Sequence, residues 1–240
     1  LLQRPDRRLH YRQYLNMGLI QSTAKSSFTG SGNKTINTGT NFTSGNQVFL
    51  VVEFFAGSST DLTGVTCAGN AMSQVIGSQF NGTTTQCSIW WIASNPGGSD
   101  AIVMTFGAGG HDGFASVLEF DNVTGEHTGP LHSDDLNGAG TSSTATATGA
   151  TTSTPVLLLG VSSSASSGTD TYTQPAGWTG LGTESNGATN NAGATAYLID
   201  TGATGTKSVT FTKTDSGAGS AACIAIFLIS LGGNLAWIRA

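Results

Sequence analysis

Three acidic residues, Glu53, Glu119 and Asp121, are the candidates for catalysis that lie in strand-like segments of this 240-residue chain. A glycosidase needs two carboxylates on opposite sides of a sugar-binding cleft. Glu53 and Glu119 lie inside apolar runs, however, where a strand that faces water on one side explains a charged residue without any chemistry. We therefore predict that the protein is not an enzyme.

Motifs for a serine nucleophile or a dinucleotide cofactor do not emerge from the sequence either. It contains no G-x-S-x-G elbow. The segment "GAGSAA" at residues 217–222 matches a loose dinucleotide-binding pattern. It leads into the β-branched run "CIAIFLI" rather than into a helix, which indicates a turn. We predict no cofactor.

A calcium site is the weak metal candidate. The segment "LHSDD" at residues 131–135 offers the carboxylates of Asp134 and Asp135, and Asp121 is a third oxygen donor that can converge on them. Solvated loop acids are the commoner explanation of such a cluster. The sequence therefore predicts no metal site, with Asp134 and Asp135 as the residues to inspect.

The three cysteines cannot all pair with one another. Cys67 and Cys87 can bridge neighbouring strands in an oxidising compartment, or both can remain packed free thiols. Cys223 lies inside an apolar run and is expected to be a buried thiol. The sequence contains no C-x-x-C spacing, which would have indicated a metal site.

The composition limits the class of protein. Only 10% of the residues are charged, the net charge is −5, and no cluster of Lys or Arg follows residue 12, which argues against nucleic-acid binding. No apolar stretch reaches the roughly 20 residues of a membrane helix. We predict neither a nucleic-acid partner nor a membrane span.

The strand pattern indicates an all-β protein. Short runs rich in Val, Ile, Phe and Thr, such as "QVFLVVEFF" at 47–55 and "DAIVMTF" at 100–106, alternate with clusters of Gly, Asn and Ser. This spacing is typical of an antiparallel sandwich or barrel.

The chain also reads as two copies of one unit. "QVFLVVEFF" corresponds to "TPVLLLGVS" at 154–162, and "GFASVLEF" at 113–120 corresponds to "SAACIAIFLI" at 220–229, with offsets of about 105–108 residues. The two pseudo-repeats span about 33–125 and 140–231. They can form two small sandwiches or one merged sandwich, and we favour the merged form.

These residues carry a resemblance to a known class of modules. The aromatic strand, the Asn-Pro-Gly-Gly turn and the alternating strand of "SIWWIASNPGGSDAIVMTF" at 88–106, with the Gly-Trp of "AGWTGLGTE" at 176–184, resemble the jelly-roll β-sandwich modules of bacterial extracellular fibres and phage virion or tail proteins. The resemblance covers residues 33–231. It implies a concanavalin-like architecture and a structural or adhesive role, and it carries over no catalytic residue.

The two ends of the chain differ from the body. Arg4, Arg7, Arg8 and Arg12 give residues 1–16 a charge of +3, since Asp6 subtracts one from four, and leave −8 for the remainder. Residues 1–32 are predicted to form an N-terminal docking arm, residues 33–231 the sandwich, and residues 232–240 a C-terminal tail. The predicted interface side chains are apolar: Leu9, Tyr11, Tyr14, Leu15, Met17, Leu19 and Ile20 in the arm, and Leu235 and Trp237 in the tail.

Four N-x-S/T sequons offer acceptor sites for N-linked sugar. Chance alone accounts for about this number in a chain so rich in Ser and Thr, so the sequons do not establish glycosylation. The acceptor residues are Asn33, Asn41, Asn81 and Asn122.

Together these observations predict a structural subunit of an extracellular fibril or virion-associated filament. Its arm inserts into a neighbouring identical subunit, as in donor-strand complementation, and head-to-tail insertion generates a filament. The alternative is a carbohydrate-binding adhesin or phage receptor-binding module, whose partner is a glycan. Which sheet edge accepts the arm stays open.

Overall fold

The fold consists of antiparallel β-strands. A computed structural model describes residues 18–56, 62–79, 85–107, 109–126, 133–137, 140–165, 170–184, 191–214 and 219–229. Within these ranges the chain forms strands and no helix, so the predicted all-β, antiparallel sandwich class is confirmed.

Eighteen strands are described, eight of them nine or ten residues long. In chain order they are β1 (Leu19–Phe28), β2 (Lys34–Asn37), β3 (Gln47–Ala56), β4 (Leu62–Cys67), β5 (Asn70–Ala71), β6 (Ser73–Gln79), β7 (Thr85–Ile92), β8 (Ala101–Phe106), β9 (His111–Phe120), β10 (Val123–Glu126), β11 (Ser133–Asn137), β12 (Ser142–Thr151), β13 (Val156–Ala165), β14 (Tyr172–Thr173), β15 (Thr179–Glu184), β16 (Asn191–Asp200), β17 (Gly205–Lys213) and β18 (Ser220–Ile229).

The strands form four sheets. Inner sheet 1 has the order β1-β9-β3-β7-β6, and outer sheet 1 has the order β2-β8-β4-β5. Inner sheet 2 has the order β10-β18-β13-β16-β15, with β11 also paired to β18, and outer sheet 2 has the order β12-β17-β14.

Three apolar layers hold these sheets in a stack. The first, which includes Leu50 and Trp90, lies between outer and inner sheet 1. The second, which includes Phe49 and Phe227, joins the two inner sheets. The third, which includes Phe211 and Ile224, lies between inner and outer sheet 2. The order of the layers is therefore outer 1, inner 1, inner 2, outer 2.

This stacking explains why the inner strands lack a polar face. A strand that is covered on both faces reads as a nearly continuous apolar run, because successive side chains point to opposite faces and both faces are dry. In β7, Trp90 points to the first apolar layer and Trp91 to the second, and both are at most 9% exposed. The two adjacent rings lie on opposite faces, as alternation along a strand requires, and both faces of β7 are covered.

The register of the sheets differs between inner and edge pairings. The pairs β3–β7, β3–β9, β13–β16 and β13–β18 run without a shift. Shifts occur where β1, β6, β10, β12 and β15 pair at sheet edges, and in the β4–β8 pair. Such irregularities twist an edge away from a partner strand and protect it from pairing with another chain.

The first strand corrects the predicted arm. The sequence analysis assigns residues 1–32 to a docking arm, whereas Leu19–Phe28 forms β1 and pairs with β9 of the same chain. Leu19 packs against the second apolar layer, and Ser31 bridges to Gly110. Covering the edge of β9 satisfies backbone groups that would otherwise lie unpaired, so residues 19–28 belong to the body.

The structure also decides between the two arrangements expected for Cys67 and Cys87, a disulfide or two packed thiols. Cys67 lies in the first apolar layer and Cys87 in the second, on the opposite side of inner sheet 1, so the Cys67–Cys87 disulfide is wrong. All three cysteines are buried thiols outside any disulfide, Cys223 included. Burial, with a smaller effect from the charge of Glu119, raises the pKa of Cys67 to about 12.

The two halves of the chain have the same strand order. Inner sheet 1 contains neighbours in the order β9, β3, β7 and β6. Inner sheet 2 contains the equivalent strands of the second half in the same order: β18, β13, β16 and β15. The paired segments "QVFLVVEFF" and "TPVLLLGVS" fall mainly on β3 and β13. The division into two pseudo-repeats and a jelly-roll connectivity stay predictions.

Candidate functional site

One end of the stack contains a buried carboxylate at the junction of the inner sheets. Glu53 on β3 is fully buried, and its Oε2 accepts hydrogen bonds from Ser163 Oγ (2.9 Å) and Asn191 Nδ2 (2.6 Å) of inner sheet 2. Three polar groups from both halves therefore meet in a dry interface, where hydrogen bonds to a charged group are strongest.

The single hydroxyl proton of Ser163 decides how this network is connected. Ser163 Oγ lies 2.9 Å from Glu53 Oε2 and 3.1 Å from Asn191 Oδ1, and one proton serves one of them well. Since Asn191 Nδ2 already donates to Glu53, the shorter distance favours the bond from Ser163 to the carboxylate. The network holds β3 of inner sheet 1 in place against β13 and β16.

Gly193 makes room for this carboxylate. A Cβ built at Gly193 would lie 2.8 Å from both Cγ and Cδ of Glu53, and 2.5 Å from the carbonyl oxygen of Ser162. Real Cβ atoms do not approach other atoms so closely, so the close contact of the inner sheets at this point requires glycine.

A run of three serines on β13 serves two networks. Ser163 points to Glu53, whereas Ser162 and Ser164 point to outer sheet 2, as alternation along a strand requires. Ser162 Oγ donates to Ser143 Oγ at 2.7 Å and lies 3.2 Å from Tyr172 Oη.

Asp170 completes the second network. Its Oδ2 accepts from Ser164 Oγ (2.9 Å), and its Oδ1 accepts from the backbone N–H and the hydroxyl of Thr214. Burial raises the pKa of Tyr172, hydrogen bonding with Ser162 and Ser164 lowers it, and the nearby charges of Asp170 and Glu53 raise it further, with a net upward shift. Tyr172 therefore stays protonated at neutral pH.

Most of the described buried polar side chains lie at this end of the stack, which we call the polar end. They are Glu53, Thr85, Gln86, His111, Ser143, Ser162, Ser163, Ser164, Asp170, Asn191, Lys213 and Ser220. Thr85 Oγ1, Gln86 Nε2 and Ser220 Oγ have no hydrogen-bond partner among the described residues. Unpaired buried polar atoms cost free energy and call for an explanation.

About half of the connections between consecutive described strands lie at the same end, because neighbouring strands are antiparallel. Eight consecutive strand pairs end and begin there: β1–β2, β3–β4, β6–β7, β8–β9, β11–β12, β13–β14, β15–β16 and β17–β18. Pairings such as Ala56 with His111 and Ala165 with Asn191 fix these strand ends at one level.

The geometry does not bring the predicted catalytic carboxylates together. Val48 pairs with Glu119 and Glu53 pairs with Phe114, so the two acids are five positions apart along β3, about 17 Å. Glu119 points to the first apolar layer and Glu53 to the second. A carboxylate pair that flanks a sugar bond is separated by roughly 5–9.5 Å.

Glu119 instead ties a loop to the body. Its Oε1 accepts from the Thr43 backbone N–H (2.7 Å) and from Asn46 Nδ2 (2.8 Å), and its Oε2 accepts from Gln21 Nε2 (2.6 Å). This fully buried carboxylate has one donor from β1 and two from the segment before β3. Its role is structural, and so is that of Asp121, whose Oδ1 accepts from the Gly18 N–H at 2.7 Å.

The opposite end, which we call the docking end, holds the first and last described strand termini. Leu19 pairs with Phe120, and Ile229 pairs with Val123, three positions further along the chain. The Cα atoms of Leu19 and Ile229 therefore lie within roughly 22 Å of each other. Residues 1–17 and 230–240 join the body at this end.

Partly buried apolar side chains surround these points. Leu19, Tyr197, Ile199 and Ile229 are incompletely covered where they pack against the second apolar layer. Ile20 on β1 is 47% exposed. The described part of the docking end therefore presents partly exposed apolar side chains.

The remaining predicted residues are placed as follows. Of the predicted interface residues, Leu19 and Ile20 lie on β1, and the others lie outside the described residues: Leu9, Tyr11, Tyr14, Leu15, Met17, Leu235 and Trp237. Asn33, Asn41 and Asn122 are exposed, as sugar acceptors must be, and Asn81 lies outside the described residues.

The metal candidates lie on a strand. Asp134 and Asp135 are consecutive residues of β11, in register with Cys223 and Ala222. Nowhere in the described ranges do three or more His, Cys, Asp or Glu residues come together as a metal site requires.

Comparison of the chain with known protein families, with characterised proteins and with solved structures gave no match. The resemblance to jelly-roll modules of fibres and virions stays a prediction. In the part of the chain that the structure describes, no helix is long and apolar enough to cross a membrane.

Proposed function

We propose that the protein is a structural subunit of an extracellular fibril or a virion-associated filament, and that residues 1–17 join one subunit to the next. The observation that carries this proposal is the location of the docking end. Residues 1–17 and 230–240, which contain the predicted apolar contact residues, both join the body there. The exposed apolar side chains of the body surround the same end.

The distribution of charge along the chain also supports residues 1–17 as the segment that joins subunits. Residues 1–16 carry +3, and the remainder of the chain carries −8. Segments of opposite charge on neighbouring copies attract one another and speed association at low ionic strength. The irregular edge strands protect the body from unspecific pairing, so a dedicated segment has to provide the specific contact.

The test is negative-stain electron microscopy of the full chain and of a variant that lacks residues 1–17. The proposal expects filaments from the full chain and single folded particles from the variant, because β1 and the rest of the body are retained. A matched variant, Leu9→Ser with Leu15→Ser, keeps the length and charge of the segment and should weaken assembly without changing the circular dichroism spectrum. Filaments of equal length from all three proteins would overturn the proposal, and so would single particles from the full chain.

A carbohydrate-binding adhesin is the second candidate, and the polar end favours it. Eight pairs of strands connect at that end over a buried polar network, and connections held on a rigid sandwich commonly carry recognition. A glycan array with purified protein tests this candidate. Retention of a defined glycan by the full chain and by the variant without residues 1–17 would support it, and no retention by either would reject it.

A further inference from the structure

Two cysteine sulfurs meet between the inner sheets. Cys87 lies on β7 of inner sheet 1 and Cys223 on β18 of inner sheet 2, and their Sγ atoms are 3.2 Å apart. Both side chains are at most 1% exposed and belong to the second apolar layer. Cys67, by contrast, is on the other side of inner sheet 1.

The surroundings keep these two thiols directed at each other. Cys87 lies between Glu53 and Ser78 in the sheet, and Cys223 lies between Val161 and Asp134. Cys223 Sγ is 3.7 Å from the carbonyl oxygen of Cys87, a weak contact beside the sulfur–sulfur one. A disulfide has an S–S length of about 2.05 Å, so the sulfurs need to approach by only about 1.2 Å.

We propose that Cys87 and Cys223 form a disulfide that joins the two halves of the protein when the chain folds in the presence of an organic disulfide such as glutathione disulfide. The two thiols lose two protons and two electrons, and one S–S bond forms. The organic disulfide gains both and is cleaved to two thiols.

Burial determines when this reaction takes place. Thiol–disulfide exchange needs access of the oxidant to a sulfur, and the closed inner sheets exclude it from both. Oxidation therefore precedes the final closure of the second apolar layer, and a protein that has folded in the reduced state reacts slowly.

The bond would act on the junction of the two halves. The two cysteines are 136 positions apart, and a cross-link that closes so long a loop restricts the unfolded chain more than a short one does. The inference is independent of filament formation, because neither sulfur lies at the docking end.

Cleavage at methionine gives a direct test, because the three methionines separate the three cysteines. Cyanogen bromide cleaves after Met17, Met72 and Met104. The fragments 18–72, 73–104 and 105–240 then contain Cys67, Cys87 and Cys223 respectively. The protein is refolded with a mixture of reduced and oxidised glutathione, its remaining thiols are alkylated under denaturing conditions, and the fragments are separated without reductant.

We expect fragments 73–104 and 105–240 to migrate as one species that reductant separates, with fragment 18–72 free and alkylated at Cys67. The intact protein should be 2 Da lighter than the reduced one before alkylation. A link between 18–72 and 73–104, or three alkylated cysteines after complete refolding, would overturn the proposal.

Two variants connect the bond to stability. Cys67→Ala should retain the linked fragments and a Tm that is higher when oxidised than when reduced, by roughly 5–15 °C. Cys223→Ala should lose both the link and the oxidation-dependent difference. An equal difference in Tm between the oxidised and reduced forms of the two variants would contradict a Cys87–Cys223 bond. If a variant fails to fold, the fragment pattern of the unmodified chain still shows which cysteines are linked.

Discussion

At the level of single residues, the fold depends on carboxylates that are surrounded by donors. Glu53 and Glu119 are fully buried, each with at least two hydrogen bonds from other elements. Buried charged groups that are hydrogen-bonded fix neighbouring segments, and removal of their acceptors leaves donors unpaired. The three predictions that follow concern Glu119, Gly193 and Asp200.

Glu119→Gln should destabilise the protein by about 1–3 kcal/mol. Three donors surround this side chain, and an amide nitrogen in place of one oxygen would set a donor against a donor. The free energy of unfolding in urea measures the loss. Asp100→Asn is the matched control, because Asp100 Oδ2 accepts one bond, from the Gly39 N–H, and an amide oxygen can still accept it. Equal losses in the two variants would contradict this interpretation.

Gly193→Ala should cost about 1–3 kcal/mol of stability, since the added methyl group overfills the contact between the inner sheets. Gly125→Ala serves as control, because nothing lies within 4 Å of a Cβ at that position. Thermal unfolding of both variants tests the difference. A Gly193 variant as stable as the Gly125 variant would show that the inner sheets separate easily there.

Asp200 gives a pH-dependent prediction. Burial opposes ionisation of Asp200, but the hydrogen bonds from Lys207 and the Gly202 N–H and the charge of Lys207 lower its pKa overall. A lowered folded-state pKa contributes stability above the unfolded value of 3.8, and this contribution is lost as the pH falls through the folded value.

The unfolding midpoint of Asp200→Asn should therefore lie below that of the unmodified protein at pH 7, and the two should converge as the pH falls below 3.8. Urea unfolding at a series of pH values measures this, and the contribution is small because the pair is near the surface. A difference that does not vary with pH would exclude the ionised form as its source.

At the level of strands, β3 and β13 form the centre of the molecule. Each is ten residues long, is paired on both sides without a register shift, and lies between two apolar layers. The edge strands β1, β6, β10, β12 and β15 pair with register shifts, and β5 and β14 have two residues each. Local stability should therefore be highest in β3 and β13 and lowest in β5 and β14.

Hydrogen exchange should consequently be slowest in β3 and β13 and fastest in β5 and β14, with β1 between them. The reason is that amides of an edge strand open without separation of the apolar layers. Mass spectrometry of deuterated peptides measures the order. Protection of β1 equal to that of β3 would contradict the assignment of β1 as an edge strand.

Much of the strand content could be predicted from the sequence, because periodicity and turn residues are local signals. The stacking of four sheets could not, since a buried run shows that a strand is covered but not by which sheet. An apolar run without alternation, such as "SIWWI", is the local pattern of a strand that is dry on both faces. The triple serine of β13 signalled the polar networks, because hydroxyl residues that continue an apolar run inside a core need partners.

The boundary between the arm and the body could not be predicted from the sequence for a related reason. Leu19 and Ile20 continue the apolar character of residues 9–17, so composition alone sets no boundary between the arm and the body. The boundary follows from pairing with β9, a contact about 100 positions away in the chain. Cys87 and Cys223 are likewise brought together only by the stacking of the inner sheets.

At the level of the whole molecule, the two halves pack through equivalent surfaces. β1 lies against β15, whereas β6 lies against β11 and β18, so the inner sheets stack with opposite strand order. The polar end and the docking end then lie at opposite ends of the strands.

These opposite ends suit a subunit that attaches at one end and presents the other. We expect assembly to be specific to the docking end, because the interrupted edges of the sheets resist lateral pairing. The opposite charges of residues 1–16 and of the body predict that association weakens as salt increases.

Sedimentation velocity over a range of protein concentrations, with the full chain and the variant that lacks residues 1–17, tests whether this segment joins neighbouring copies. We expect the full chain to sediment as a growing series of oligomers at low salt, while the variant stays a monomer with an unchanged Tm. Equal sedimentation of the two proteins at every concentration would contradict the claim that residues 1–17 bind a neighbouring copy.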